Sequence, residues 1–157
     1  MTLALHHIGY LVADIEASSA LWSTRFGYVL ESSIIEDPAQ TAFVQFLRQP
    51  GSPHWLELVA PNGPGSRLAA ALKTGGGLHH LCYETAEIEA AVGTLRTQGM
   101  FPISRPTPAV AFGGRRIAWL LDPAKTLVEL VESGTGPLSL ATIQGNESGT
   151  SHHAQGS

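Results

Sequence analysis

Leu3 to Val12 alternates loosely between apolar and polar side chains, the period of a strand. Asp14 follows as a natural N-cap for Ile15 to Arg25, where Ile15, Ser18, Ser19, Trp22 and Phe26 recur at helical spacing, and Gly27 ends that run. Tyr28 to Ile35 predicts a second strand, Asp37-Pro38 a turn, Thr41 to Leu47 a third strand, and Trp55 to Ala60 a fourth after the loop Arg48 to Pro53. Pro61 to Gly65 reads as a linker, Ser66 as the cap of a short helix ending at Lys73, and Gly75-Gly76-Gly77 as a divider.

The second half replays this order. Leu78 to Glu84 predicts a strand, Ala86 to Gln98 a helix stopped by Gly99, Met100 to Ser104 a short strand, and Arg115 to Leu121 and Thr126 to Glu132 two more around the turn Asp122-Pro123. The replay is literal in places. Leu5-His6-His7-Ile8-Gly9-Tyr10 returns as Leu78-His79-His80-Leu81-Cys82-Tyr83 at an offset of 73, and Leu56-Glu57-Leu58-Val59 returns as Val128-Glu129-Leu130-Val131 at an offset of 72. The pattern therefore predicts an α+β fold of two tandem βαβββ modules, residues 3–74 and 75–132, in a single domain 1–132. Residues 133–157 are rich in Gly, Ser and Thr without periodicity and read as a flexible tail, with His152 and His153 incidental to it.

Composition narrows the function classes. Hydrophobic residues make up 43% and charged residues 14%, a globular balance. A net charge of −4 with only 9 Lys and Arg leaves no electrostatic footprint for nucleic acid. No apolar run approaches the ~18 residues of a membrane span, and no signal peptide is visible. One cysteine, Cys82, excludes an internal disulfide framework. A cytoplasmic protein that meets a small-molecule substrate is expected.

The repeat also carries chemistry. Each half supplies a His-His pair and a Glu inside an otherwise apolar strand. A lone carboxylate there is costly unless it is paired or bound to a metal. Arg115 and Arg116 can neutralise Glu129 without one. Equivalent places in two repeats ask for one shared explanation, however, and modules related by a pseudo-twofold axis bring equivalent residues together. Imidazoles and carboxylates then form a mixed N/O set that suits Co, Zn, Ni, Mn or Fe(II) without choosing among them. Strand alternation turns His6 and His7 to opposite faces.

These paired modules, with His opening and Glu closing each, resemble the vicinal oxygen chelate superfamily, which includes glyoxalases, bleomycin-resistance proteins and extradiol dioxygenases. The resemblance runs from about Leu3 to Glu132. It implies a cupped, partly open barrel-like sheet with helices outside and a divalent metal inside. Carried over, His7, Glu57, His80 and Glu129 fall on the four ligand positions, and His6 and His79 become structural. A homodimer is also implied.

A Glu at 57 favours the four-ligand branches over the extradiol dioxygenases. Gly76-Gly77-Leu78-His79-His80-Leu81-Cys82, Glu57-Leu58-Val59-Ala60-Pro61 and Gly113-Gly114-Arg115-Arg116-Ile117-Ala118-Trp119-Leu120 resemble the methylmalonyl-CoA epimerase branch. That branch implies an isomerase that abstracts a proton next to a carbonyl and stabilises an enediolate with its metal, with Glu129 or Glu57 as catalytic base and an acyl-CoA as substrate. Its second acidic base has no counterpart in Pro38-Ala39-Gln40-Thr41; Glu36 and Asp37 are the nearest acids. A glyoxalase I-like lyase and a metal-free antibiotic-binding protein are the alternatives. Arg115 and Arg116 are candidates for an anionic substrate group, and Pro106 to Gly114 for a lid.

Overall fold

The computed structural model describes residues 1–134. The first module contains β1 (Ala4–Leu11), α1 (Ile15–Phe26), β2 (Val29–Leu30), β3 (Ile35–Asp37), β4 (Ala42–Arg48) and β5 (Trp55–Pro61). The short helix α2 (Leu68–Lys73) leads into β6 (Gly77–Thr85), α3 (Ile88–Thr97), β7 (Phe101–Pro102), β8 (Thr107–Pro108), β9 (Arg116–Leu121) and β10 (Leu127–Glu132). All ten strands join one sheet, in the order β2-β4-β5-β1-β6-β10-β9-β7, with β3 beside β4 and β8 beside β9. The tail assigned to 133–157, with its two histidines, lies outside the described residues except for Ser133 and Gly134. No helix among the described residues is long and apolar enough to cross a membrane.

The local signals act as expected at α1. Asp14 Oδ1 accepts the Ala17 N–H at 2.9 Å, and Gly27 takes a left-handed conformation while its N–H reaches Ser23 O. At α2 the Ser66 hydroxyl accepts the Leu68 N–H at 3.1 Å, although Arg67 occupies the cap position itself. Helix α3 starts two residues later than its pattern suggested, because Thr85 Oγ1 takes the Glu87 N–H first.

The expected continuous strand Tyr28 to Ile35 is interrupted. Both β2 and β3 pair with β4, and between them the Ser32 hydroxyl accepts the Phe46 N–H at 3.0 Å in place of a backbone carbonyl. The second module repeats the device. There β7 and β8 both pair with β9, and Ser104 Oγ accepts the Trp119 N–H at 2.8 Å. Each module is thus β-α-β-β-β with its second strand broken by a serine.

Alternation along the strands separates two outer cores from an inner one. Leu47, Leu56, Leu58 and Ala60 pack under α1 with Val12 and Ile15. Ala118, Leu120 and Leu130 pack under α3 with Ile88 and Ala91. Ala42, Val44, Phe46, Val59, Ile117 and Val131 face the concave side. The sheet curls until its two ends meet: Trp119 Nε1, on β9, donates to Gln40 Oε1, beside β4, at 3.2 Å.

Leu58 and Leu130 hold equivalent places in the two outer cores, and both are fully buried. Leu58→Ala and Leu130→Ala are each expected to cost ~2–5 kcal/mol, the range for a buried leucine whose cavity does not collapse. Urea unfolding of the two variants, with the m-value fitted, checks both the size and the near-equality.

Candidate metal centre

The four central strands carry the cluster in two rows across the sheet. On the first row Glu57 (β5) sits beside Gly9 (β1), and Gly9 beside His80 (β6). On the second row His7 (β1) sits beside Cys82 (β6), and Cys82 beside Glu129 (β10). Each row is therefore a Glu and a His flanking one small residue, and the pseudo-twofold axis between β1 and β6 exchanges the rows. Small size at the middle position is a requirement. A Cβ on Gly9 would lie 2.0 Å from His80 Cε1, because the imidazole covers that glycine.

The side chains meet above these rows. His7 Nε2 is 2.9 Å from His80 Nε2, 3.2 Å from Glu57 Oε2 and 3.3 Å from Glu129 Oε2. His80 Nε2 is 3.1 Å from Glu57 Oε2 and 3.6 Å from Glu129 Oε2. All four residues are buried. The tightest group is His7, Glu57 and His80. Among the described residues Glu129 Oε2 makes no well-formed hydrogen bond, although both imidazoles approach it. Each Nε2 can offer at most one proton in one direction, so the cluster holds more acceptor atoms than protons to satisfy them. Donors held about 2.0–2.2 Å from a common cation lie about 3.0 Å apart at adjacent octahedral positions and about 3.4 Å apart at tetrahedral ones. The observed contacts run from 2.9 to 3.6 Å. The donor set, its spacing and the unpartnered oxygen fit a divalent cation.

Electrostatics points the same way. Burial works to lower the His7 pKa, but the Glu57 and Glu129 carboxylates outweigh it and hold it at about 9. Burial works to raise Glu57, and His7 and His80 outweigh that, keeping its carboxyl well below the usual range. Two buried carboxylates draw a positive charge to this point, and in the bare cluster a proton supplies it. Burial pushes the Cys82 thiol up, and Glu129 pushes it further.

The His-His pairs depart from simple alternation. The β1–β6 register slips at His6 and again at His79, so each first histidine stands at a β-bulge. A bulge turns two consecutive side chains toward one side. Both members of each pair therefore face the cup, and the expectation that His6 points to the opposite face is corrected. His6 Nδ1 lies 2.8 Å from His7 Nδ1, and His79 Nδ1 lies 2.9 Å from His80 Nδ1. Burial, aided by the neighbouring imidazole, lowers His6 to about 3 and His79 to about 4, so both are neutral.

The cluster opens on a cavity of about 300 Å³. Val44, Val59, Leu68, Ala111, Phe112 and Ile117 make its walls apolar. Pro106 to Gly114 supplies part of the wall rather than a detached loop, since Ala109, Ala111 and Phe112 are buried in it. Beyond Glu57 and Glu129, Asp37 is the one carboxylate lining the cavity among the described residues. It is buried, and its Oδ1 accepts the Gln40 N–H at 3.1 Å, whereas Glu36 is exposed. Neither Arg115 nor Arg116 lines the cavity. Arg115 donates to the carbonyls of Phe112 and Glu132, and Arg116 is held by the carboxylates of Glu132 and Glu89. The arginine at the cavity is Arg67, which the sequence reading did not single out.

Paired βαβββ modules that curl one sheet around a buried two-His, two-Glu cluster define a small class of cupped α+β proteins. The chain belongs to the glyoxalase/bleomycin resistance protein/dioxygenase superfamily, whose profile matches residues 6–119. It is 30% identical over 118 residues to the ethylmalonyl-CoA/methylmalonyl-CoA epimerase of Cereibacter sphaeroides, covering 74% of this chain and 86% of that protein. The crystal structure of methylmalonyl-CoA epimerase from Mycobacterium tuberculosis superposes with a TM-score of 0.75 at 26% identity, over 84% of this chain and 89% of that one. A variant of the Streptomyces coelicolor methylmalonyl-CoA epimerase, solved in complex with 2-nitronate-propionyl-CoA, gives 0.73 at 25% identity, over 87% and 100%.

Gly9→Ala is expected to destabilise the fold by ~1–3 kcal/mol through overpacking against His80 and to swing that imidazole away from His7. Urea unfolding measures the first effect. The His80 ring resonances measure the second, and unchanged resonances would contradict the packing described.

Proposed function

We propose that this protein is a divalent-metal-dependent epimerase that moves the proton next to the thioester carbonyl of an acyl-CoA. The observation that carries this reading is the buried His7, Glu57, His80 and Glu129 cluster, with one oxygen unpartnered, opening on an apolar cavity that holds one further acid. The names of the relatives support the substrate class. A bound divalent cation supplies Lewis-acid stabilisation of negative charge developing on the carbonyl oxygen.

The protein's own groups do the rest. His7, His80 and Glu57, held within 3.2 Å of one another, form the fixed part of the donor set. Glu129 is the base, because its Oε2 stands 3.3 and 3.6 Å from the two imidazoles, farther than Glu57 Oε2 at 3.2 and 3.1 Å, and is the donor held least tightly. The α-C–H bond breaks, the proton passes to Glu129, and the electron pair moves to the carbonyl oxygen. Returning that proton from the same side restores the starting configuration. Inversion takes a proton from the other face, and Asp37, the further acid in the cavity wall, gives it after taking one up from solvent, while Glu129 releases the abstracted proton to solvent before the next turnover. The reverse reaction exchanges the two roles. Gln40 accepts from Trp119 and ties the ends of the sheet together.

A glyoxalase I-like lyase shares the proton abstraction, but the relatives reported above are named as epimerases. A metal-free binding protein has no use for two buried carboxylates. For that reason the epimerase reading is preferred to both.

Solvent deuterium entry and configurational inversion, followed together on methylmalonyl-CoA with the metal-loaded chain, test the proposal. Glu129→Gln is expected to slow both by ~10²–10⁴, the usual contribution of a general base. Asp37→Asn keeps an acceptor oxygen for the Gln40 N–H and is expected to lose inversion while one-sided exchange persists. Deuterium entry unchanged by Glu129→Gln overturns the base assignment. Entry into a 2-oxo thiohemiacetal but not an acyl-CoA favours the lyase.

A further inference from the structure

We propose that His6 and His79 are positioning residues that fix the tautomer and ring angle of His7 and His80, so that both Nε2 atoms present lone pairs to the same point. The inference rests on the reading of His7 and His80 as ligands. It is carried by the two Nδ1···Nδ1 contacts, 2.8 Å for His6 with His7 and 2.9 Å for His79 with His80. At that distance one nitrogen must donate and the other accept. A histidine that binds through Nε2 keeps its proton on Nδ1. His7 and His80 are then the donors, and His6 and His79 accept with bare Nδ1 atoms and hold their own protons on Nε2.

Two further features make this a built arrangement. Each first histidine reaches its place through a β-bulge, one on β1 and one on β6. Without the bulge, alternation sends that ring to the opposite face and the contact cannot form. Packing then holds each ring. His6 lies against Trp55 with ring centroids 4.7 Å apart and against Phe112 at 5.7 Å. Trp119 lies edge-on to both His79 and His80. The same contact made twice, by the same offset along the chain, is what a duplicated metal site needs, since each half has to set its own ligand.

The test is Co²⁺ affinity of the full chain, measured by competition with a chromophoric chelator and by the visible absorption of the bound ion. His6→Phe and His79→Phe keep a ring but remove the acceptor. His6→Asn and His79→Asn place an oxygen near the lost Nδ1. Each Phe variant is expected to weaken Co²⁺ binding ~10–100-fold, the usual effect of removing such an outer partner, and to alter the absorption band. The Asn variants are expected to recover most of the loss. Equal affinity of the unsubstituted and Phe forms overturns this inference alone, as does equal weakening by Phe and Asn. No Co²⁺ binding by the unsubstituted chain overturns the ligand reading and this inference with it. Imidazole ¹⁵N resonances of the Zn²⁺-loaded chain read the tautomers without substitution. Protons on Nδ1 of His7 and His80 and on Nε2 of His6 and His79 are expected, and the reverse contradicts the assignment.

Discussion

Two carboxylates and two imidazoles share one buried point, and the structure around them answers the need to hold that charge. Burying a carboxylate costs several kcal/mol unless a counter-charge comes with it. Here Glu57 and Glu129 are both inside, with no arginine or lysine in contact among the described residues. The imidazoles are the only partners, and they cannot satisfy every acceptor. The cation proposed for the centre resolves the deficit. The four donors come from four adjacent strands, β5, β1, β6 and β10, so the same charge also joins the two modules through their middle.

Duplication explains how a short chain builds such a point. Each module contributes a His from its first strand and a Glu from its last, and the pairing of β1 with β6 places the copies face to face. The middle position of each row then has to be small, and Gly9 and Cys82 meet that need differently. Gly9 leaves room for the His80 ring, whereas the Cys82 thiol sits between His7 and Glu129 and stays protonated. Outside the cluster the copies diverge. Asp37, Gln40 and Arg67 belong to the first module and its linker, while Phe112 and Trp119 belong to the second. Shared residues thus form the donor set, and unshared ones set the polar and aromatic character of the cavity beside it.

Much of this was legible in the sequence because period and repetition are local signals. The two modules, the cap at Asp14, the stop at Gly27 and one His-His pair and one Glu in register per half follow from spacing, whereas the choice of His7 and His80 within the pairs came from the family resemblance. The faces of His6 and His79 do not, since a bulge is a property of two paired strands and alternation in one strand cannot reveal it. Ser32 and Ser104 replace ladder acceptors for the same reason, although their offset of 72 matches that of the closing glutamates and was a readable clue. Arg115 and Arg116 drew attention as cations near Glu129 in sequence, but Glu132 and Glu89 hold Arg116, and backbone carbonyls hold Arg115. Arg67 reaches the cavity only because α2 folds back beside it, a long-range fact with no local signature.

In the proposed centre one chain gathers these four residues around one divalent cation. Its most direct measurement is the metal content of chelator-free protein, before and after reloading, for the unsubstituted chain and for His7→Ala/His80→Ala. About one divalent ion per chain is expected in the first and a near-complete loss in the second, with the fold of the double variant checked by circular dichroism under the same conditions. A content far below one ion per chain after reloading, or an equal content in both proteins, would contradict it.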